Sequence, residues 1–197
     1  MQVRSLLASS TIRAAVRDFG RSPGTLRRLR WWLHAPHSAE RWFQVEFGFA
    51  LQQHVTPDYV VGCEDEHKDL VFYPALPKNP VAAVIELKWF GSWWLGDKIR
   101  KQLRADVDKI GSYRTPALAL AVWLFAKRAR PQDPMYPWLD KQRLESVPDL
   151  DRHLREAQLE PDIQFRVDCP PQPGFSTFSL VAVGFYNGAA QSLRRRH

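Results

Sequence analysis

The apolar run at residues 81–89 constrains the fold most strongly, because it ends in two charged residues. Its sequence is Val-Ala-Ala-Val-Ile-Glu-Leu-Lys-Trp, which predicts a buried strand. Side chains alternate between the two faces of a strand, so Glu86 and Lys88 point the same way. Burying a charge without a partner is costly. The pair is therefore either a satisfied structural ion pair, with Asp69 as a turn cap, or part of a functional site.

The composition is that of an ordinary folded domain. The chain has 197 residues, of which 45% are hydrophobic and 25% are charged, which is enough for one sizeable core. No apolar run approaches about 18 residues, so neither a membrane helix nor a membrane partner is expected. Cys63 and Cys169 have no metal or redox spacing and are too few for a disulfide framework, so we expect a reducing, cytoplasmic location.

Positive charge is concentrated at the two ends of the chain. Of the net charge of +7, residues 1–31 hold seven arginines against one aspartate, and the tail holds three arginines at 194–196, which leaves −2 for the rest. Basic arms suit a polyanion such as nucleic acid, because arginine binds phosphate and releases counterions. The ordinary alternative is a solvated surface. The acid-poor N-terminus also resembles a transit peptide, but its apolar residues recur at helical spacing, which favours a packed helix.

Periodicity and turn residues predict the order of the elements. In the first part of the chain the predicted elements are helices at 4–19 and 39–54, strands at 59–63, 69–73 and 81–89, a helix at 96–112 and a strand at 117–125. They are followed by a Pro-rich connection at 128–137, a helix within 137–158, and strands at 163–167 and 177–185. Ser22-Pro23-Gly24 is predicted to be a turn after the first helix.

This order predicts an α/β fold around a mixed central sheet. We divide it into a basic N-terminal helical extension (1–38), a core (39–127) and a C-terminal α+β extension (128–197) that packs on the same domain. The last segment is expected either to extend the sheet or to form the surface of a homodimer.

The numbering of the second and third strands predicts their register. Their connecting loop, residues 74–80, is centred at 77, so residues that face each other have numbers that sum to about 154. Asp69 and Glu86 sum to 155 and should lie nearly opposite, with Cβ atoms about 4.5–5.5 Å apart. Two carboxylates so close repel each other unless a cation or a proton lies between them. Oxygen ligands of this kind suit Mg²⁺ or Mn²⁺.

An Asp, a spacer and then Glu-x-Lys at the end of a core strand resemble the PD-(D/E)XK nuclease superfamily. The resemblance covers residues 39–126 and implies a restriction-endonuclease-like core of helix, three strands, helix and strand. It also implies an endonuclease that hydrolyses phosphodiester bonds in DNA with Mg²⁺. Asp69 and Glu86 would then be metal ligands together with the backbone carbonyl of Leu87, and Lys88 would be the catalytic lysine that orients the attacking water.

Many members of that superfamily add a glutamate from the preceding helix. By position this residue would be Glu46, and Glu40 on the same helix is its rival. The Glu-x-Lys tripeptide alone is weakly specific, since Glu66-His67-Lys68 is a second instance in a polar turn. Asp58 follows a proline as the literal motif demands, but the hairpin register and the apolar strand favour Asp69, which follows Lys68.

Basic and aromatic residues near these positions are candidates for nucleic-acid contacts. We expect backbone phosphates to meet Arg27, Arg28, Arg30, Lys98 and Lys101. Trp89, Trp93 and Trp94 are candidates either for base stacking or for the core. Two other functions stay open: a catalytically silent nucleic-acid-binding or assembly subunit with the same fold, and a protein–protein module with a Trp-rich surface.

Overall fold

A computed structural model of the chain describes residues 5–34, 40–65, 67–75, 80–91, 96–129 and 147–195. These residues form an α/β fold with six helices and a six-stranded mixed sheet. The helices are α1 (Ser9–Arg21), α2 (Pro23–His34), α3 (Glu40–Gln52), α4 (Gly96–Gly111), α5 (Val147–Glu156) and α6 (Gly188–Arg195). The strands are β1 (Tyr59–Asp65), β2 (Lys68–Pro74), β3 (Ala83–Gly91), β4 (Ala117–Arg128), β5 (Ile163–Asp168) and β6 (Phe175–Tyr186). None of the described helices is long and apolar enough to cross a membrane.

The sheet has the strand order β1-β2-β3-β4-β6-β5. The β3–β4 pair is parallel and the other four pairs are antiparallel. The α/β class, the mixed sheet and the element order from α3 to β4 are confirmed, and β5 and β6 extend the sheet beyond β4. The predicted Pro-rich connection lies mostly in residues 130–146, outside the described residues.

Two helices were not predicted as such. Pro23 and Gly24 are not a turn but the first residues of α2, and only Ser22 separates α1 from α2. Proline suits the first position of a helix, where its missing N–H costs nothing, and the hydroxyl of Ser22 accepts the backbone N–H of Thr25 at 3.4 Å. The second is α6, which follows β6 directly.

Helices cover both faces of the sheet, and the sheet divides the hydrophobic core into two parts. Leu70, Ile85 and Leu87 face α1, α2 and α3, whereas Val84 and Phe90 face α4 and α5. Because side chains on β3 alternate, Glu86 and Lys88 lie on the α4 face with Val84 and Phe90, so the two charged residues point the same way, as predicted. Trp89 is 4% exposed and packs with its ring centroid 4.4 Å from that of Phe43, so it is a core residue.

Asn187 connects the C-terminal strands to the segment between α4 and β4. Its side chain is buried, and Oδ1 accepts the backbone N–H groups of Ala117 and Ala190, each at 3.0 Å. Its Nδ2 donates to three backbone carbonyls, those of Ile110, Tyr113 and Thr115, at 3.2, 3.1 and 2.9 Å. One amide therefore fixes the path of the chain as it leaves α4.

Replacing Asn187 by alanine should destabilise the fold, because several buried backbone groups would lose their partners. We expect Asn187→Ala to lower the free energy of unfolding by about 2–4 kcal/mol, measured by urea denaturation. Gln164→Ala is the control, because Gln164 makes one exposed hydrogen bond to Asp151, and it should change the value by less than about 1 kcal/mol. Equal effects of the two substitutions would contradict this role for Asn187.

Candidate active site

The β2–β3 hairpin has the predicted register. Leu70 pairs with Ile85, Val71 with Val84 and Phe72 with Ala83, so paired numbers sum to 155. Continuing the ladder by one residue places Asp69 opposite Glu86. The backbone pairing of β2 with β3 ends at Leu70 and Ile85. Beyond it, the side chain of Asp69 contacts the backbone of β3.

The carboxylate of Asp69 accepts hydrogen bonds from both sides of the strand end. Its Oδ2 accepts the backbone N–H of Leu87 at 2.6 Å, and its Oδ1 accepts Nε2 of Gln44 in α3 at 2.7 Å. Gln44 reaches this position because α3 lies close to the sheet at Gly48, one turn later. A Cβ on Gly48 would lie 3.1 Å from Sγ of Cys63 and 3.3 Å from Cδ2 of Leu70. Glycine therefore permits the approach that brings Gln44 to Asp69.

Glu86 is almost completely buried, with 2% of its surface exposed. Lys109 Nζ donates to its Oε2 at 2.6 Å, and the hydroxyl of Tyr113 donates to its Oε1 at 2.5 Å. Burial, together with the hydrogen bond to Glu86, raises the pKa of Tyr113 well above its ordinary value. Both oxygens of Glu86 thus have a donor within the protein.

Asp106 of α4 is the third carboxylate of the group. The pKa of Asp106 is raised to about 6, mainly by burial. The charge of Lys88 opposes the rise, those of Asp69 and Glu86 contribute to it, and that of Lys109 opposes it. The pKa of Asp69 is also raised to about 6, mainly by burial. The hydrogen bond from the Leu87 N–H lowers this pKa, the charge of Glu86 raises it, and the charges of Lys88 and Lys109 lower it. We refer to Asp69, Glu86 and Asp106 as the carboxylate cluster.

Lys88 lies on the same face of β3 as Glu86 and is half-buried. Its ammonium lowers the pKa of both Asp69 and Asp106, so it lies within electrostatic range of two members of the cluster. The structure therefore brings together the predicted residues Asp69, Glu86 and Lys88.

Four residues of the site were not predicted from the sequence: Asp106, which belongs to the cluster, and Gln44, Lys109 and Tyr113, which lie around it. Asp106 is half-buried, whereas Asp97 and Asp108 on the same helix are exposed. A signal was present in the sequence. Polar residues at 102, 106 and 109 have spacings of 4 and 3, which place them in one stripe beside the apolar stripe of the helix. Tyr113 follows four residues after Lys109, just beyond the end of α4.

Glu46 is not brought to the carboxylate cluster. Its carboxylate pairs with Arg28 of α2, and Gln44 is the α3 residue that contacts Asp69. The side chain of Glu40 lies outside the described part of the structure. Leu87 contributes its N–H to Asp69, and its carbonyl as a metal ligand stays a prediction.

The candidate nucleic-acid contacts lie on two sides of the sheet. Arg27 and Arg28 are exposed and Arg30 is partly buried on α2, which packs on one face. Lys98 and Lys101 are exposed on α4, which packs on the other face. Trp93 and Trp94 lie outside the described residues.

The raised pKa values of Asp69 and Asp106 predict that stability falls as pH rises. Each group has a higher pKa folded than unfolded, so the folded state binds more protons between about pH 4 and 6, and the stability present at pH 4 is lost as pH passes about 6. Asp106→Asn removes one such group. We expect its melting temperature in EDTA to exceed that of the wild type by about 2–4 °C at pH 8, and the difference to vanish by pH 4.

Asp108→Asn is the matched control, because Asp108 is exposed on the same helix, and it should show no such pH-dependent difference. A gain for Asp106→Asn of the same size at pH 4 and pH 8 would contradict the electrostatic explanation.

Comparison of the chain with protein-family models, with curated proteins and with solved structures found no match. A function is therefore proposed from the geometry of the site.

Proposed function

We propose that this chain is a cytoplasmic, metal-dependent endonuclease that hydrolyses phosphodiester bonds in DNA, built on a restriction-endonuclease-like core from α3 to β4. The observation that carries the proposal is the convergence of the carboxylate cluster on Lys88 at the end of the β2–β3 hairpin. Raised pKa values of buried carboxyl groups around a lysine are typical of functional sites.

The donor chemistry of the cluster fits a divalent cation such as Mg²⁺ or Mn²⁺. Carboxylates are the hard oxygen ligands that these ions prefer, and an oxygen that accepts one hydrogen bond retains a second lone pair. Gln44 donates to Asp69, and Gln102 lies one helical turn before Asp106 on α4. The buried Oε1 of each has no donor in the described part of the structure. Unpartnered acceptors of this kind suit a cation or the water molecules around it.

The cluster is not preformed as a metal cage. Among the described residues, no group of three or more His, Cys, Asp or Glu side chains is arranged to hold a metal ion. Asp69 and Glu86 each accept protein donors at both oxygens. A metal ion would therefore either share these oxygens with the protein donors, through the second lone pair of each oxygen, or displace one of the donors.

Each residue of the site has a task in this proposal. Asp69, Glu86 and Asp106 would hold the metal, which when bound polarises a phosphate and lowers the pKa of its water. Gln44 and the N–H of Leu87 orient Asp69. Lys88 is the group that positions the attacking water and offsets negative charge on the phosphate. Lys98 and Lys101 on α4 would contact the DNA backbone.

A second candidate function is a nucleic-acid-binding subunit without catalysis. One observation favours it: Lys109 and Tyr113 each donate a hydrogen bond to one oxygen of Glu86. A buried ion pair with a purely structural role requires such partners. In that case the basic surfaces of α2 and α4 would act alone, and the carboxylate cluster would only connect β3 to α4.

The endonuclease proposal predicts that the protein cleaves plasmid DNA in the presence of Mg²⁺ or Mn²⁺ and does not cleave it in EDTA. Gel electrophoresis measures the cleavage. Asp69→Asn, Glu86→Gln and Lys88→Met should each reduce the rate by about 100-fold or more, because the first two weaken metal binding and the third removes the positive charge beside the phosphate. Asp108→Asn should cleave at the wild-type rate. A Lys88→Met variant that is as active as the wild type would refute the assignment of the site. A wild type that is inactive with both metals would refute the proposed function.

Binding without cleavage has its own signature in the salt dependence of DNA affinity. The logarithm of affinity should fall linearly with that of salt concentration, with a slope of about −0.9 for each phosphate contact. We expect Lys101→Ala to make the slope less steep by about 0.9, measured by fluorescence anisotropy in EDTA. Exposed Lys127, at the far end of β4, supplies the control Lys127→Ala. Identical slopes for the three proteins would exclude Lys101 from the interface.

A further inference from the structure

Lys109 is a resident cation of the site. Its Nζ donates to Oε2 of Glu86 at 2.6 Å and to the backbone carbonyl of His67 at 2.7 Å. The side chain of Lys109 is 38% exposed, whereas that of Glu86 is 2% exposed. The ammonium therefore reaches inward from the surface to compensate a buried carboxylate.

The β1–β2 turn contributes directly to this arrangement. His67 has φ of 69°, in the left-handed region that few residues other than glycine adopt. Its carbonyl accepts the Lys109 ammonium beside the Glu86 oxygen. A carboxylate oxygen and a backbone carbonyl are also the ligand types that bind hard divalent cations, so the ammonium lies where protein oxygens already favour positive charge.

We propose that Lys109 and a divalent cation compete for Glu86, so that Lys109 sets the metal affinity of the site. The inference rests on the proposed function, because it requires Glu86 to be a metal ligand. Two cations at one carboxylate oxygen repel each other, and most strongly where burial lowers the dielectric constant. Metal binding would thus release the ammonium from Glu86, and Lys109 would be a positioning residue that keeps Glu86 in place until the metal arrives.

The test measures Mn²⁺ binding without nucleic acid, by the electron paramagnetic resonance signal of the free ion. We expect Lys109→Met to bind Mn²⁺ about tenfold or more tightly than the wild type, because the competing charge is gone. Lys109→Arg keeps the charge and should stay within about twofold of the wild type. Lys127→Met is the charge-matched control, since Lys127 lies eight residues beyond Ala119, the β4 partner of Glu86, or about 26 Å along the strand, and should have no effect.

A second measurement uses the wild-type protein and does not depend on the folding of a variant. Acylation of lysines by an amine-reactive ester, mapped by mass spectrometry, should increase at Lys109 when Mn²⁺ is added and stay unchanged at Lys127. Equal or weaker Mn²⁺ binding by a folded Lys109→Met, or an unchanged reactivity of Lys109 with Mn²⁺ bound, would overturn the inference.

The two proposals fail in different ways. If the wild type binds Mn²⁺, loses it with Glu86→Gln and is indifferent to Lys109→Met, only the competition is refuted. If neither the wild type nor Lys109→Met binds Mn²⁺, the metal-dependent function is refuted and the competition with it.

Discussion

The buried carboxylate of Glu86 is the group on which the rest of the site depends. It lies on β3, an interior strand of the sheet, and is 2% exposed; such a charge is tolerated only with good partners. Lys109 and Tyr113 supply them, and Asn187 at the end of β6 holds the backbone of Tyr113 in place. One charged side chain therefore connects β3, α4 and the C-terminal strands, which makes residues beyond β4 part of the support of the site.

Among the described residues, the cations that act on Asp69 and Asp106 are the ammonium groups of Lys88 and Lys109. The three carboxyl groups of the cluster exceed these two cations by one negative charge when all three are ionised. A structural network would be expected to give each buried carboxylate its own partner. Here Lys88 acts on both Asp69 and Asp106, whose pKa values are nonetheless raised to about 6. This excess is the electrostatic condition that a bound cation would relieve, and it favours the catalytic proposal over the purely structural one.

The strands could be predicted from the sequence more accurately than the residues that surround the site. Period-two alternation and the numbering of one hairpin were enough to place Asp69 opposite Glu86. The helices were harder, because burial of a polar side chain depends on the rotation of the helix about its axis. Glu46, in an apolar run, turns to α2 and pairs with Arg28, whereas Gln44, two residues earlier, reaches Asp69. Asp106 was detectable only as part of the 102–106–109 stripe, since by composition it resembles its exposed neighbours. Pro23 was misleading for a different reason: proline soon after a helix is typical of a turn, but here it occupies the first position of the next helix.

Of the two basic surfaces, that of α4 lies on the same face of the sheet as the site, and that of α2 lies on the opposite face. Glu86 and Lys88 point to the face of the sheet that α4 covers, and Lys98 lies one turn before Gln102, in line with the stripe that contains Asp106 and Lys109. The arginines of α2 lie across the sheet, and Arg28 already pairs with Glu46. A DNA backbone at Lys88 would therefore meet the lysines of α4 first. The arginine-rich N-terminal segment, which carries most of the positive charge, would have to act around the edge of the sheet, so its contribution would be to affinity and not to the position of the scissile phosphate.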